Sequence, residues 1–540
     1  MKHRIIFILA ILLPVAAGAQ SRSFTMGKWL ELRTAILKEL NTSYVDSLPV
    51  ERMERAAVDA MLSQLDPYTV YVPAEEDEDL EMMVNRSYGG IGAVIYKPDL
   101  QDFIRINEPY AGSPAARAGI RCGDRIMAID GETTTGLTAD QGSSKMRGEP
   151  GTELTLKVKK AHTGDTLDIK VIREKIHLPD IEYAGILSDG TTGYILQTGF
   201  TEGVGDDMRR KVAELREKGI TKLIIDLRGN GGGLLNEAVK IVSIFVPEDS
   251  EVVTSKGPDP RQNYVYRTKQ KPLDLEIPLV VMVNSASASA SEIVAGALQD
   301  YDRATIMGRR TYGKGLVQSI RPLPYGSKMK VTVAKYYTPS GRCVQAIDYS
   351  NRNEDGSVGH IPDSLTHEFR TAAGRTVRDG GGVTPDVELH PEEFSRLTYA
   401  LVLSGVVDHY ALDYAERHES IPALEDFHFT DADYDDFVSF ALGETFDYRS
   451  SAKAYFDNML QELRKDGLDE AVKAQTDALG KALDIEKEQF LRMKKEEIIP
   501  FIEEELAVRY YFQEAGVAVR LRYDDEVRQA MGSPLISIPD

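Results

Sequence analysis

Between Gly193 and Met307 the chain alternates short apolar runs with amphipathic stretches, and this alternation restricts the fold more than any other feature. Gly193–Leu196, Lys222–Leu227, Leu279–Val283 and Ala304–Met307 read as strands. Asp206–Lys218, Leu234–Val246 and Ala290–Tyr301 read as helices, the first carrying Met208, Val212 and Leu215 on one face and stopped by Gly219. Strands that alternate with helices need crossover connections, which predicts an α/β core with a parallel sheet. Beyond Gly315, Leu316–Pro322 and Lys328–Tyr337 read as an antiparallel pair turning at Tyr325-Gly326.

A chain of 540 residues exceeds one compact core, and its flanks differ in texture from the alternating segment. Met1–Arg4 is basic, Ile5–Ala16 is apolar, and Ala17-Gly18-Ala19 offers small residues before Gln20, the pattern of a cleaved secretory signal that sends the mature chain to the periplasm or beyond. Met26–Met83 carries helical spacing and is broken near Leu65-Asp66-Pro67-Tyr68. The acidic, Gly-poor stretch from about Glu392 to Met531, including Ala452–Leu463 and Leu483–Tyr511, reads as a helical packing and assembly region. A net charge of -21 argues against nucleic acid or an anionic membrane as partner, because phosphate would be repelled. Two cysteines, Cys122 and Cys343, make no disulfide framework. Nine scattered histidines with no HExxH and no CxxC give no metal site, and no cofactor is expected.

The segment Tyr88–Lys175 turns to short strands and Gly-rich turns. Its string SPAARAGIRCGDRIMAIDG resembles the centre of a PDZ domain. In that light YGGIGAVI stands where such domains hold a peptide C-terminal carboxylate on backbone amides, with Gly89, Gly90, Ile91 and Gly92 as the peptide-binding loop.

The alternating core carries three features that fit one reaction. In Asn284–Ile293, NSASASASEI, four serines lie between a buried strand and a helix start, where a hydroxyl is exposed beside the positive helix end; an N-cap is the competing role, since Ser289-Ala-Ser-Glu292 is also a capping box. No histidine occurs between His177 and His360, so a base for such a serine must be of another type. Lys314, in TYGKG after the next strand, is placed to return to the same sheet end, and burial would favour its neutral amine. DLRGNGGG, Asp226–Gly233, ends one strand and opens the next helix, presenting backbone amides suited to an oxyanion; it lacks the Lys-Ser/Thr of a phosphate loop.

Taken in order, DLRGNGGGLL, SASASEIVAGALQDYDRA, TYGKGLVQ, YYTPSGR and GGVTPD, preceded by the PDZ-like segment, resemble the C-terminal processing peptidases, or tail-specific proteases, over about Met26–Pro391. The resemblance implies an α/β multidomain chain: a signal (1–19), an N-terminal helical region (20–85), an inserted PDZ domain (86–176), a crotonase-like serine peptidase core (177–391) and a C-terminal helical domain (392–540). It implies a Ser-Lys dyad of Ser289 and Lys314, with Gln318 orienting the amine and oxyanion donors at Gly232, or a neighbouring glycine, and Ala290. Asp300 matches an acidic position of less defined role, and Arg147 a residue linking tail binding to the catalytic centre. Substrates would be proteins or peptides with free C-terminal tails, and the chain would homodimerise through its terminal helical arms. An extra Ser-Ala repeat places Ser285 and Ser287 ahead of the motif. The alternatives are a silent PDZ tail-binding scaffold and an enzyme locked until a tail arrives.

Overall fold

The computed structural model describes residues 22–76, 86–97, 99–353, 355–390 and 393–532; the secretory signal expected over 1–19 lies outside them. The chain divides after Tyr71 into two compact units. The first contains helices Arg22–Ser43 and Val50–Leu62, tied by an Arg33–Glu54 ion pair. Its chain turns at Asp66, whose carboxylate accepts from the Tyr68 N–H at 3.0 Å. The break expected around Pro67 is therefore present, and the part of the helical stretch from 77 to 83 lies outside the described residues.

In the second unit, the predicted alternation becomes a six-stranded sheet. Its strands, in spatial as well as chain order, are β1 (Ile181–Ile186), β2 (Thr192–Gln197), β3 (Lys222–Asp226), β4 (Leu279–Val283), β5 (Thr305–Gly308) and β6 (Val387–Glu388). β1 runs antiparallel to β2, and every later pairing is parallel. Alternate residues explain the unbroken apolar runs. Ile195, Leu223, Ile225, Val281, Val283 and Ile306 face helices α1 (Val204–Glu217), α2 (Leu235–Val242) and α3 (Ala290–Asp300). Tyr194, Leu196, Ile224, Val280, Met282 and Met307 face Val517, Val527 and Ala530 near the C-terminus. A parallel sheet covered on both faces has no polar side to show in sequence.

α2 ends at Val242, four residues before the expected Val246; the chain tightens into Ile244 N–H to Ile241 and Phe245 N–H to Val242 turns ahead of Pro247, whose ring disfavours helix in the preceding residue. The antiparallel pair Leu316–Pro322 and Lys328–Tyr337 occurs with the expected bounds and continues through Glu251–Lys256 to Tyr264–Arg267. The PDZ region is a separate antiparallel sheet over its own core of Ile104, Ile106, Ile126, Leu154, Leu156 and Val158. The C-terminal region is helical, and the helical stretch expected over Leu483–Tyr511 contains the helices Lys487–Met493 and Lys495–Tyr511. It docks on the PDZ sheet: Arg509 donates to Asn107 Oδ1 at 2.9 Å, and Glu416 pairs with Arg105 and Arg125. Cys122 and Cys343 are both free thiols.

Candidate active site

β4 ends at Val283 and α3 begins at Ala290; Ser285, Ser287 and Ser289 lie in the intervening turn and Ser291 in the first turn of α3. Ser285 is exposed. Ser287 is fully buried and donates to the Leu227 carbonyl at 2.8 Å; Ser291 is also buried and donates to the Asn230 carbonyl at 2.9 Å. These two stitch the serine repeat to the glycine loop. Ser289 is half-buried, lines an open cleft and sits at φ 58°, ψ −110°. A non-glycine residue held there costs roughly 1–3 kcal/mol, and such strain persists only where surrounding contacts over-determine it.

Those contacts are present. The Ser289 N–H donates to Glu292 Oε2 at 2.8 Å, the Tyr336 hydroxyl donates to the Ser289 carbonyl at 3.1 Å, and the Ala288 N–H donates to the Asn230 carbonyl at 3.0 Å. The same Glu292 carboxylate holds the lysine loop: Oε2 accepts from the Lys314 N–H at 2.8 Å, and Oε1 accepts from the Gly313 N–H at 2.7 Å and the Thr311 hydroxyl at 2.6 Å. Burial pushes the Glu292 carboxyl upward, and the four donors oppose that shift. Each donor left unpaired around this buried carboxylate would cost about 1–3 kcal/mol. Glu292 thus fixes the backbones of Ser289 and Lys314 to one group, a role hidden in sequence behind its capping-box position.

Ser289, Lys314 and Gln318 line one cleft of about 400 Å³ with the glycine loop on one wall and Ile293, Leu316 and Ile320 as apolar lining. Gln318 gives its amide to Thr332 Oγ1 at 3.3 Å, so its hydrogen bond here runs across the hairpin. Lys330, which sequence reasoning did not single out, also lines the cleft, and burial lowers its pKa. Tyr336 was missed as well; both belong to a strand whose inward side only the register with Leu316–Pro322 reveals.

The glycine loop runs against the serine turn. At Gly232, φ is +95°, and a Cβ would come 2.6 Å from the Ala288 oxygen and 2.8 Å from the Ser289 Cβ, so only glycine allows the approach. One expectation needs correction: the Gly232 N–H donates to Asn230 Oδ1 at 2.9 Å, because the Asn230 amide is itself fixed by donating to the Gln197 carbonyl. Gly232 therefore shapes the loop, and the alternative named with it, a neighbouring glycine, carries the amide expectation. Ala290 supplies the first N–H of α3, one of the amides a helix start leaves without an intrahelical partner. Asp300 lies at the other end of α3, where it pairs with the buried Arg342 at 2.9 Å and accepts from the Ser340 N–H, tying YYTPSGR to the core.

A larger hollow of about 630 Å³ beside α2 also contains a serine and a lysine, Ser243 and Lys240. Its chemistry differs: hydrogen bonds and charge from Asp206 and Glu237 raise the Lys240 pKa and keep it protonated, and Ser243 donates to the Val239 carbonyl.

In the PDZ region, Ala93–Tyr96 is an edge strand, paired only with Ile104–Pro109 on its sheet. A groove of about 280 Å³ follows it, bounded by the helix Ala139–Met146. Ile91 and Gly92 line this groove, whereas Gly89 and Gly90 form a ribbon with Glu174–His177, so two of the four expected loop residues are placed elsewhere. Arg147 stands on the groove rim with its guanidinium 5.1 Å from the Tyr88 ring centre.

One cleft thus gathers a strained serine, a lysine and a glycine loop, and the same chain carries a separate antiparallel sheet with its own groove. Model matches cover residues 191–350 with Peptidase family S41, 105–160 with the PDZ domain, and 397–533 with the C-terminal helical domain of PDZ-proteases. The chain is 35% identical over 355 residues to the carboxy-terminal-processing protease of Bartonella bacilliformis, covering 64% of this chain and 80% of that one. It is 35% identical over 311 residues to the "Probable CtpA-like serine protease" of Staphylococcus aureus, covering 57% and 61%. Among solved structures, the photosystem II D1 C-terminal processing protease is 26% identical, with 67% and 86% coverage and a TM-score of 0.36. The chain belongs to peptidase family S41, with the carboxy-terminal-processing proteases.

Proposed function

We propose that this chain is an exported endopeptidase that captures free C-terminal tails in its PDZ groove and cleaves peptide bonds with a Ser289–Lys314 dyad. The observation that carries the reading is the shared Glu292 carboxylate, which fixes both backbones beside one cleft. Ser289 Oγ attacks the scissile carbonyl carbon while the neutral Lys314 amine takes the hydroxyl proton. The tetrahedral oxyanion rests on backbone amides of Ala290 and of Gly231 or Gly233. Collapse breaks the C–N bond, the lysine returns the proton to the leaving amine, and water then hydrolyses the acyl-serine by the same relay. Gln318 orients the lysine once substrate displaces its contact with Thr332. The core is read as crotonase-like, a reading supported by its parallel strand order.

The tail enters as an added strand along Ala93–Tyr96, with its carboxylate at Ile91 and Gly92, and Arg147 on the rim couples occupancy to the catalytic centre. Peptides ending in a free carboxylate are expected to bind at least about tenfold tighter than the same peptides amidated, since the charged end bonds to backbone donors. Calorimetry showing equal affinity would remove tail capture from the account.

A periplasmic or otherwise exported homodimer follows from the N-terminal signal and from the first helix, on which Phe24, Met26, Trp29, Leu30 and Ile36 are exposed. Sedimentation of exported protein beginning at Gln20 should give twice the chain mass; a single-chain mass or an intact leader would contradict it. The rival, a silent tail-binding scaffold, leaves the strain at Ser289 without a use.

A further inference from the structure

Arg228 follows Asp226 and Leu227 at the end of β3 and opens the glycine loop. Its guanidinium is mostly buried and meets three carboxylates. Nη2 donates to Asp226 Oδ2 at 2.6 Å, and Nε reaches the same carboxylate at 2.9 Å. The other two partners come from nearly 300 residues further on: Nη2 donates to Asp524 Oδ2 at 2.7 Å and Nη1 to Glu526 Oε2 at 2.7 Å. Burial would lower the Arg228 pKa, but the carboxylates outweigh it and hold the group charged.

Neither acid is free to swing. Asp524 Oδ1 accepts from the Val527 N–H at 2.9 Å at the start of the helix Asp525–Gly532, and Glu526 is almost fully buried. That helix is held on the sheet, where Val527 and Ala530 pack in one cluster with Tyr194 and Ile224, and Lys222 donates to the Ala530 carbonyl at 2.7 Å. On the loop side, Tyr194 donates to Asp226 Oδ2 at 2.7 Å, and the Gly229 N–H donates to Asn284 Oδ1 at 3.0 Å. The guanidinium therefore links a rigid C-terminal helix to the first residues of the loop whose later glycines touch the Ser289 turn.

We infer that Asp524 and Glu526 of the C-terminal helical domain are positioning residues for the oxyanion loop, acting through Arg228. The two-pronged Asp226–Arg228 pair lies within one segment, and only the contacts of the guanidinium with Asp524 and Glu526 tie it to a second element. The C-terminal domain is then part of the catalytic support, beyond the packing role its sequence suggested. The inference rests on the peptidase reading above.

The test is the full chain carrying Asp524→Asn and Glu526→Gln together, assayed on a short peptide substrate with a separate tail peptide present to fill the PDZ groove in parent and variant alike. Rates are normalised to active sites titrated with a peptidyl boronate, so that loss of folded protein does not register. The expected result is a fall in kcat of about 10–100-fold with KM within about twofold, because a displaced oxyanion donor acts on the transition state and not on ground-state binding. Asp524→Glu in the Glu526 parent background should recover most of the rate, as it keeps the charge. An unchanged kcat per titrated site in a parent that cleaves through Ser289 would overturn the inference alone. A parent that does not cleave would overturn the peptidase reading and this inference with it.

Discussion

Ser289→Ala lowers kcat/KM for a tail-bearing peptide by about 10⁴–10⁶-fold, the range expected when a covalent nucleophile is removed and only binding and oxyanion contacts remain. The other serines of the repeat separate the nucleophile from its supports. Ser285→Ala, on an exposed residue, leaves the rate unchanged. Ser287→Ala and Ser291→Ala lose the buried bonds to Leu227 and Asn230, about 0.5–1.5 kcal/mol each, and lower melting temperature more than they lower rate. Tail binding to the PDZ groove should survive in all four variants. If Ser287→Ala or Ser291→Ala abolished turnover while Ser289→Ala kept it, the assignment within the repeat would be wrong.

Lys314→Ala lowers kcat by roughly 10²–10⁴-fold, the usual contribution of a positioned general base, with little change in KM. Lys314→Arg should do no better. A guanidinium stays protonated to about pH 12 or above and cannot accept the serine proton, so keeping a positive charge at the position does not restore function. The parent rate should rise with pH along a limb that the Lys314→Ala variant lacks, since only the neutral amine is competent. Recovery of activity in Lys314→Arg would show that the position supplies charge and not basicity, and the base would then have to be sought elsewhere in the cleft, where Lys330 is the other amine.

The parts of this arrangement written locally were legible in the sequence. Leu279–Val283, Leu316–Pro322 and Lys328–Tyr337 have the bounds their apolar content and flanking turns predict, and the serine turn and lysine loop reach one cleft because a parallel sheet gathers its strand ends. What sequence did not show depends on contacts between distant segments. Glu292 looks like half of a capping box until the lysine loop folds onto it. Gly232 looks like an oxyanion donor until the Asn230 side chain, fixed from β2, takes its N–H. Gly89 and Gly90 share a string with Ile91 and Gly92, yet pairing with Glu174–His177 draws them into a ribbon. The acidic C-terminal region carries no motif, and its link to Arg228 exists only once the last helices lie on the sheet.

Ser289 is expected to carry the acyl group during turnover. An ester analogue of a tail-bearing substrate acylates faster than it deacylates, so the intermediate accumulates and can be trapped by acid within the first turnover. Tandem mass spectrometry of the digested protein should then place one acyl group on Ser289 in the parent and none anywhere in Ser289→Ala. An acyl group on another residue, or one that persists when Ser289 is gone, would contradict it.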